Sequence, residues 1–128
     1  MMNVALQTVQ LTADRQVIRA YGELTDDLNP IHLDPGFAAN TPMGRCIAHG
    51  TMSICLLWQS LFRSIELEAD QHIDLDVRFV KPIFVGETIC AGGKLLSDGG
   101  GYAVWVRGTD GIDRVTGTAR VLTGTEPT

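Results

Sequence analysis

The chain has 128 residues, 45% hydrophobic and 20% charged, with a formal net charge of −5. That length suits one domain with room for a core, and the acidic balance argues against nucleic acid or a polybasic membrane surface as partner. Cys46, Cys55 and Cys90 are odd in number and lack metal spacing, so they read as reduced, mostly packed thiols of a cytoplasmic protein.

Residues Val4 to Leu11 read as a first strand, without the basic region a signal peptide needs. Thr12 is placed to N-cap a helix running to Leu24, with Asp14 near its positive end and Val17, Ala20, Tyr21 and Leu24 as its apolar stripe. Asp27-Leu28-Asn29-Pro30-Ile31-His32 follows. Asn-Pro forms turns, and proline drives the residue before it out of the helical region. The bent segment gathers a carboxylate, an amide and an imidazole. An aspartate and a histidine aimed at one water are the parts acid/base chemistry needs. Taken alone, Asp27 and Asn29 read first as turn residues, since Asp and Asn favour turns for local reasons.

Asp34-Pro35 can start a short helix, and Thr41 to Arg45 is loop. From His49 or Gly50 to Phe62 the chain reads as a helix apolar nearly all round, which belongs inside a wrapper. It is shorter and more polar than a membrane span. Beyond Glu68 the signals become strand. Ile73, Leu75, Val77 and Phe79 alternate with polar residues, Lys81-Pro82 and Gly86 bound a turn, and strands follow at Thr88 to Leu96, Tyr102 to Arg107 and Ile112 to Leu122. Short turns between consecutive strands make an antiparallel sheet. The expected architecture is α+β: one buried helix lying across a curved antiparallel sheet. One sheet of five strands cannot cover every side of that helix, so a homodimer joining two sheets edge to edge is expected, with a higher oligomer open.

Tyr21-x-x-Leu24-Thr25-Asp26-Asp27-x-Asn29-Pro30-Ile31-His32-x-Asp34, followed by Ala38 and by Ile47-Ala48-His49-Gly50, resembles the signature of the MaoC-like, (R)-specific enoyl-CoA hydratases of the hotdog fold. Arg78 to Thr88 resembles that family's strand and turn after the central helix, and the likeness runs from Leu11 to Leu122 as a single domain. The resemblance implies a hotdog dimer that hydrates a trans-2-enoyl-CoA reversibly to a (3R)-3-hydroxyacyl-CoA, with no cofactor beyond the coenzyme A of the substrate. It implies that Asp27 and His32 hold and activate water, that Asn29 helps position the site, and that Gly50 gives its N–H to the thioester carbonyl. Which of Asp27 and His32 takes the water proton stays open.

Two departures stand out. Asp26 occupies a position often held by glycine in the family, and we expect it to face solvent without a left-handed backbone. Thr51 replaces a common methionine, which should alter packing more than chemistry. His49 is read as structural, for instance as a cap. A metal held by His32, Asp34 and His49 matches no zinc spacing, so none is expected.

For substrate binding the candidates are Ser53, Trp58 and Leu61 on the helix, with Leu57 as plain core. Trp58, if it points into the tunnel, would favour short acyl chains. Arg45, Arg63, Arg78 and Lys81 are candidate partners for coenzyme A phosphates, Arg78 and Lys81 foremost. The rivals are a hotdog acyl-CoA thioesterase using the same helix start, and a non-catalytic acyl-CoA-binding protein.

Overall fold

In the computed structural model, which describes residues 3–124, the sheet and central helix take the expected hotdog arrangement. Strand β1 covers Val9–Thr12. Helices α1 (Arg15–Thr25), α2 (Pro30–Leu33), α3 (Pro35–Ala39) and α4 (Gly50–Ser64) follow, then β2 (Gln71–Phe79), β3 (Thr88–Leu95), β4 (Gly101–Gly108) and β5 (Asp113–Thr123). The strands form one antiparallel sheet in the order β1-β3-β4-β5-β2. A membrane cannot be crossed by any described helix, as none is long and apolar enough.

The core lies between α4 and the sheet. Met52, Leu56, Leu57 and Leu61 face inward from α4 onto Ile89, Ala91, Tyr102, Val104, Val106, Val115 and Ala119. The opposite side of α4 is not covered by the described residues. Cys55 and Gln59 are exposed there, and Phe62 stacks on half-buried Trp58 with ring centroids 5.5 Å apart.

Several boundaries differ from the sequence reading. The strand expected from Val4 forms only from Val9, preceded by one isolated bridge between Ala5 and Lys94. Thr12 does not cap α1: its hydroxyl meets that of Thr88 at 2.8 Å, and Asp14 takes the cap by accepting from the Val17 N–H at 2.9 Å. Carboxylate caps are worth about 1 kcal/mol. The buried stripe of α1 is Ile18 and Gly22, with Val17 and Tyr21 half-buried, while Ala20 is exposed and Leu24 lies on the outside at 83% exposure. Asp26 does adopt the left-handed conformation (φ 56°, ψ 38°), contrary to expectation, because it closes the C-terminus of α1. Its side chain faces solvent, as expected.

A register shift at Val106/Arg107 inserts Arg114 as an extra residue in β5. Bulges turn side chains from the regular alternation. Arg114 is consequently buried, with its guanidinium on Glu87 at 3.0 Å and Asp110 at 3.1 Å. Its carbonyl accepts from the N–H groups of Val80 and Lys81, which ties the turn after β2 to the sheet. Residues 46–48 run extended beside 83–85, with Ala48 donating to the Ile83 carbonyl at 2.7 Å and Val85 to the Cys46 carbonyl at 3.1 Å. These ties hold the approach to α4.

Candidate active site

The Asp27–His32 hexapeptide is more structured than a turn. Asn29 caps α2, its Oδ1 accepting from the Ile31 N–H at 3.0 Å with Pro30 in the first helical position. That employs the amide oxygen of Asn29 locally and shapes the loop. Asp27 and His32 are brought together, Oδ2 to Nε2 at 3.9 Å. The carboxylate is half exposed and the imidazole almost buried. His32 Nδ1 lies 2.7 Å from the Ile47 carbonyl. A carbonyl can only accept, so the Nδ1 proton is fixed there and, in the neutral ring, the Nε2 lone pair faces Asp27.

Ile47 joins the two halves of the motif. Its N–H donates to the Ile31 carbonyl at 3.2 Å, while its own carbonyl receives His32. The next residues carry the chain into α4. His49 occupies the N-cap position but makes no side-chain cap bond. Its Nε2 instead donates to the backbone carbonyl of Asp27 at 2.9 Å, and its ring stacks on His32 with centroids 3.8 Å apart. Among the described residues, its buried Nδ1 has no hydrogen-bond partner. Leaving a buried polar atom unsatisfied costs about 1–3 kcal/mol. Capping failed as a prediction because the ring is recruited by Asp27 and His32 from outside the helix.

Gly50 begins α4, and among the described residues its N–H meets no acceptor. Unpaired N–H groups and the positive dipole end make such a helix start a donor to developing negative charge. The Phe79 ring lies against Gly50, and a Cβ there would be 3.0 Å from its nearest carbon. Gly50, Ser53, Met43, Ile47, Phe79 and Ile83 help line a cavity of about 310 Å³. Ser53 is fully buried, its hydroxyl donating to the Gly50 carbonyl.

Lys81 lines this cavity, and Arg45 lies beside Lys81 with its guanidinium over the Phe84 ring at 4.0 Å. Other candidates lie elsewhere within the chain. Trp58 stands on the uncovered side of α4 and Leu61 is fully buried core, so neither lines this cavity. The neighbours of Gly50, Phe79 foremost, set its width instead. Arg78 is exposed on β2, adjacent to Phe79 and so on the opposite face of the strand. Arg63 is exposed at the end of α4. Asp34 caps α3 by accepting from the Phe37 N–H at 3.1 Å, so it is not grouped with the histidines.

Asp27, His32 and His49 present ligand-type atoms within 4.8 Å of one another. The two histidine rings are stacked and tilted by only 29°, so their in-plane lone pairs run side by side instead of converging on one point.

Three groups that hold the candidate site in shape were not singled out for it in the sequence. Tyr21 flanks His49 (centroids 5.1 Å) and donates its hydroxyl to Thr51 at 2.7 Å. Burial first, then the nearby Cys55 and Asp27, push its phenol above the usual range, which keeps it a donor. Gly22 sits directly under the Asp27 carbonyl: a Cβ there would lie 2.8 Å from that oxygen and 3.5 Å from His49 Cε1. The Ile47 carbonyl carries no side-chain signal at all. Gly22 left a trace, as a glycine inside a helical stripe that calls for a close neighbour, and Tyr21 stood in the motif but read only as part of an apolar stripe.

Residues 3–101 match the family model of the MaoC like domain. The chain belongs to the MaoC-like domain family. A segment of 74 residues, 58% of the chain, is 34% identical to an (R)-specific enoyl-CoA hydratase of Aeromonas caviae and covers 55% of that protein. Over 69 residues, 54% of the chain, it is 35% identical to a 3-hydroxybutyryl-CoA dehydratase of Methylorubrum extorquens, covering 44% of it. The MaoC-like chain thus matches about half the length of these two relatives. A solved (R)-hydratase from A. caviae superposes with a TM-score of 0.69 at 27% identity, covering 93% of this chain and 96% of that one.

Proposed function

We propose that this chain is an (R)-specific enoyl-CoA hydratase, adding water reversibly to a trans-2-enoyl-CoA to form a (3R)-3-hydroxyacyl-CoA. The observation that carries it is the Asp27–His32 pair, with Oδ2 and Nε2 facing each other at 3.9 Å beside an unpaired helix start. A water between them donates one proton toward each acceptor, leaving an oxygen lone pair for the β-carbon of the enoyl group. As that C–O bond forms, the Cα=Cβ electrons move toward the thioester and charge builds on its carbonyl oxygen. The Gly50 N–H is the donor for that oxygen, a contribution worth about 3–4 kcal/mol in comparable sites. The pair removes one proton from water and one proton returns to Cα. The addition is redox-neutral and needs no electron carrier.

The apolar cavity at Gly50 takes the thioester end of the substrate. Lys81 at that cavity and neighbouring Arg45 offer cations to the coenzyme A phosphates. The uncovered side of α4 and the free edge of β2, whose Ile73, Leu75 and Val77 are only half-buried, suit pairing with a second copy.

The test is hydration of crotonyl-CoA, followed by loss of the enoyl thioester absorbance with chirality of the product determined. A thiol reagent on saturated acyl-CoA detects the competing thioesterase reaction. D27N and H32Q should each lose about 10²–10⁴-fold in kcat with unchanged melting, the usual share of general acid–base catalysis. Wild-type turnover by both variants would refute the assignment.

A further inference from the structure

We propose that His49 is a positioning residue that aligns both members of the Asp27–His32 pair at once. The proposal rests on the hydratase reading. Its Nε2–H holds the main-chain carbonyl of Asp27 at 2.9 Å, and its face packs on the His32 ring at 3.8 Å. One side chain therefore sets the backbone of the carboxylate and the plane of the imidazole.

The ring is itself held from behind. It is 2% exposed, with Tyr21 tilted against it and Gly22 of α1 leaving room for Cε1. Restraint is needed at Asp27 because the residue before it is the left-handed exit of α1, and the half-exposed Asp27 carboxylate is otherwise held by one long bond, accepting from the Asn29 N–H at 3.4 Å, while its own N–H donates to the Gly22 carbonyl at 2.9 Å. At His32 the Nδ1–Ile47 bond fixes one ring atom, and the stack then limits rotation about that bond. A histidine serving packing alone would be expected to have both nitrogens satisfied or to be replaceable by an apolar ring. Here Nδ1 is buried without a partner among the described residues, so burial alone does not account for the imidazole.

The experiment uses H49F, which keeps an aromatic stack and loses the donor, and H49Q, which keeps an N–H donor and loses the stack. Steady-state kinetics on crotonyl-CoA are measured with thermal melting. Each variant should fold and lose about tenfold or more in kcat with little change in KM, since misplacing a reacting group by an ångström costs about 10²-fold. Full kcat in both, a loss confined to KM, or failure of both to fold overturns the proposal in favour of a structural residue. Wild-type protein inactive on a panel of enoyl-CoAs would refute the hydratase reading instead. Positioning is then read without turnover, from the His32 Nδ1 proton by NMR. Faster exchange in H49Q supports the role, and unchanged exchange overturns it.

Discussion

Gly22→Ala separates two opposite forces at one atom. Alanine is favoured over glycine inside a helix by about 1 kcal/mol, so an unobstructed site would gain stability. Gly22 is not unobstructed. The added methyl would lie 2.8 Å from the Asp27 carbonyl oxygen, 3.3 Å from Leu28 Cδ2 and 3.5 Å from His49 Cε1. The first contact is with backbone, which cannot rotate aside. Relief requires the Asp27 main chain to move by roughly half an ångström, and overpacking of this kind costs about 1–3 kcal/mol. The net expectation is a loss of up to about 2 kcal/mol, with the helix gain subtracted.

The larger effect of G22A falls on chemistry, because the displaced carbonyl is the one His49 holds. A shift of half an ångström at Asp27 should lower kcat by about tenfold, with KM nearly constant. Denaturant melts and steady-state hydration of crotonyl-CoA measure the two parts. A G22A protein that is more stable by about 1 kcal/mol and fully active would refute the reasoning, since it would show the loop yields freely.

Asp26→Gly should leave activity intact and raise stability by about 0.5–1 kcal/mol in chemical denaturation, because a left-handed backbone is strained for residues with a side chain. A lower melting temperature would count against that account of the helix end. Arg114→Met should lower the thermal midpoint at neutral pH by leaving Glu87 and Asp110 without their guanidinium. Its hydrogen bond holds the Asp110 carboxyl below the ordinary 3.8, so this contribution is present above that pH and disappears as pH falls through the lowered value. The gap between wild type and variant should therefore narrow in acid; a gap independent of pH would show the ion pair to be idle.

The elements most legible in the sequence were those whose physics is local. The alternation of Ile73, Leu75, Val77 and Phe79 appears as strand β2, and Asp34-Pro35 as the start of a short helix, because pleat and cap are written within a few residues. Glycine before an apolar helical run marked the start of α4 in the same way. Asp14 displaced Thr12 as the cap of α1 because sheet pairing had already engaged Thr12 with Thr88. Trp58 could not be assigned from periodicity, since a helix apolar nearly all round does not say which side its sheet will cover.

By itself the sequence supplied the inventory of the proposed site: a carboxylate and an imidazole five residues apart, and a glycine opening an apolar helix. Only the tertiary structure decided their arrangement. The Ile47 carbonyl orients His32, the His49 ring spans Asp27 and His32, and Gly22 makes space for the Asp27 carbonyl. A backbone carbonyl has no residue code, and a ring stack depends on segments 17 residues apart in sequence meeting in space. Residue types can therefore be read along the chain, whereas the contacts that aim them form only when the chain folds back on itself.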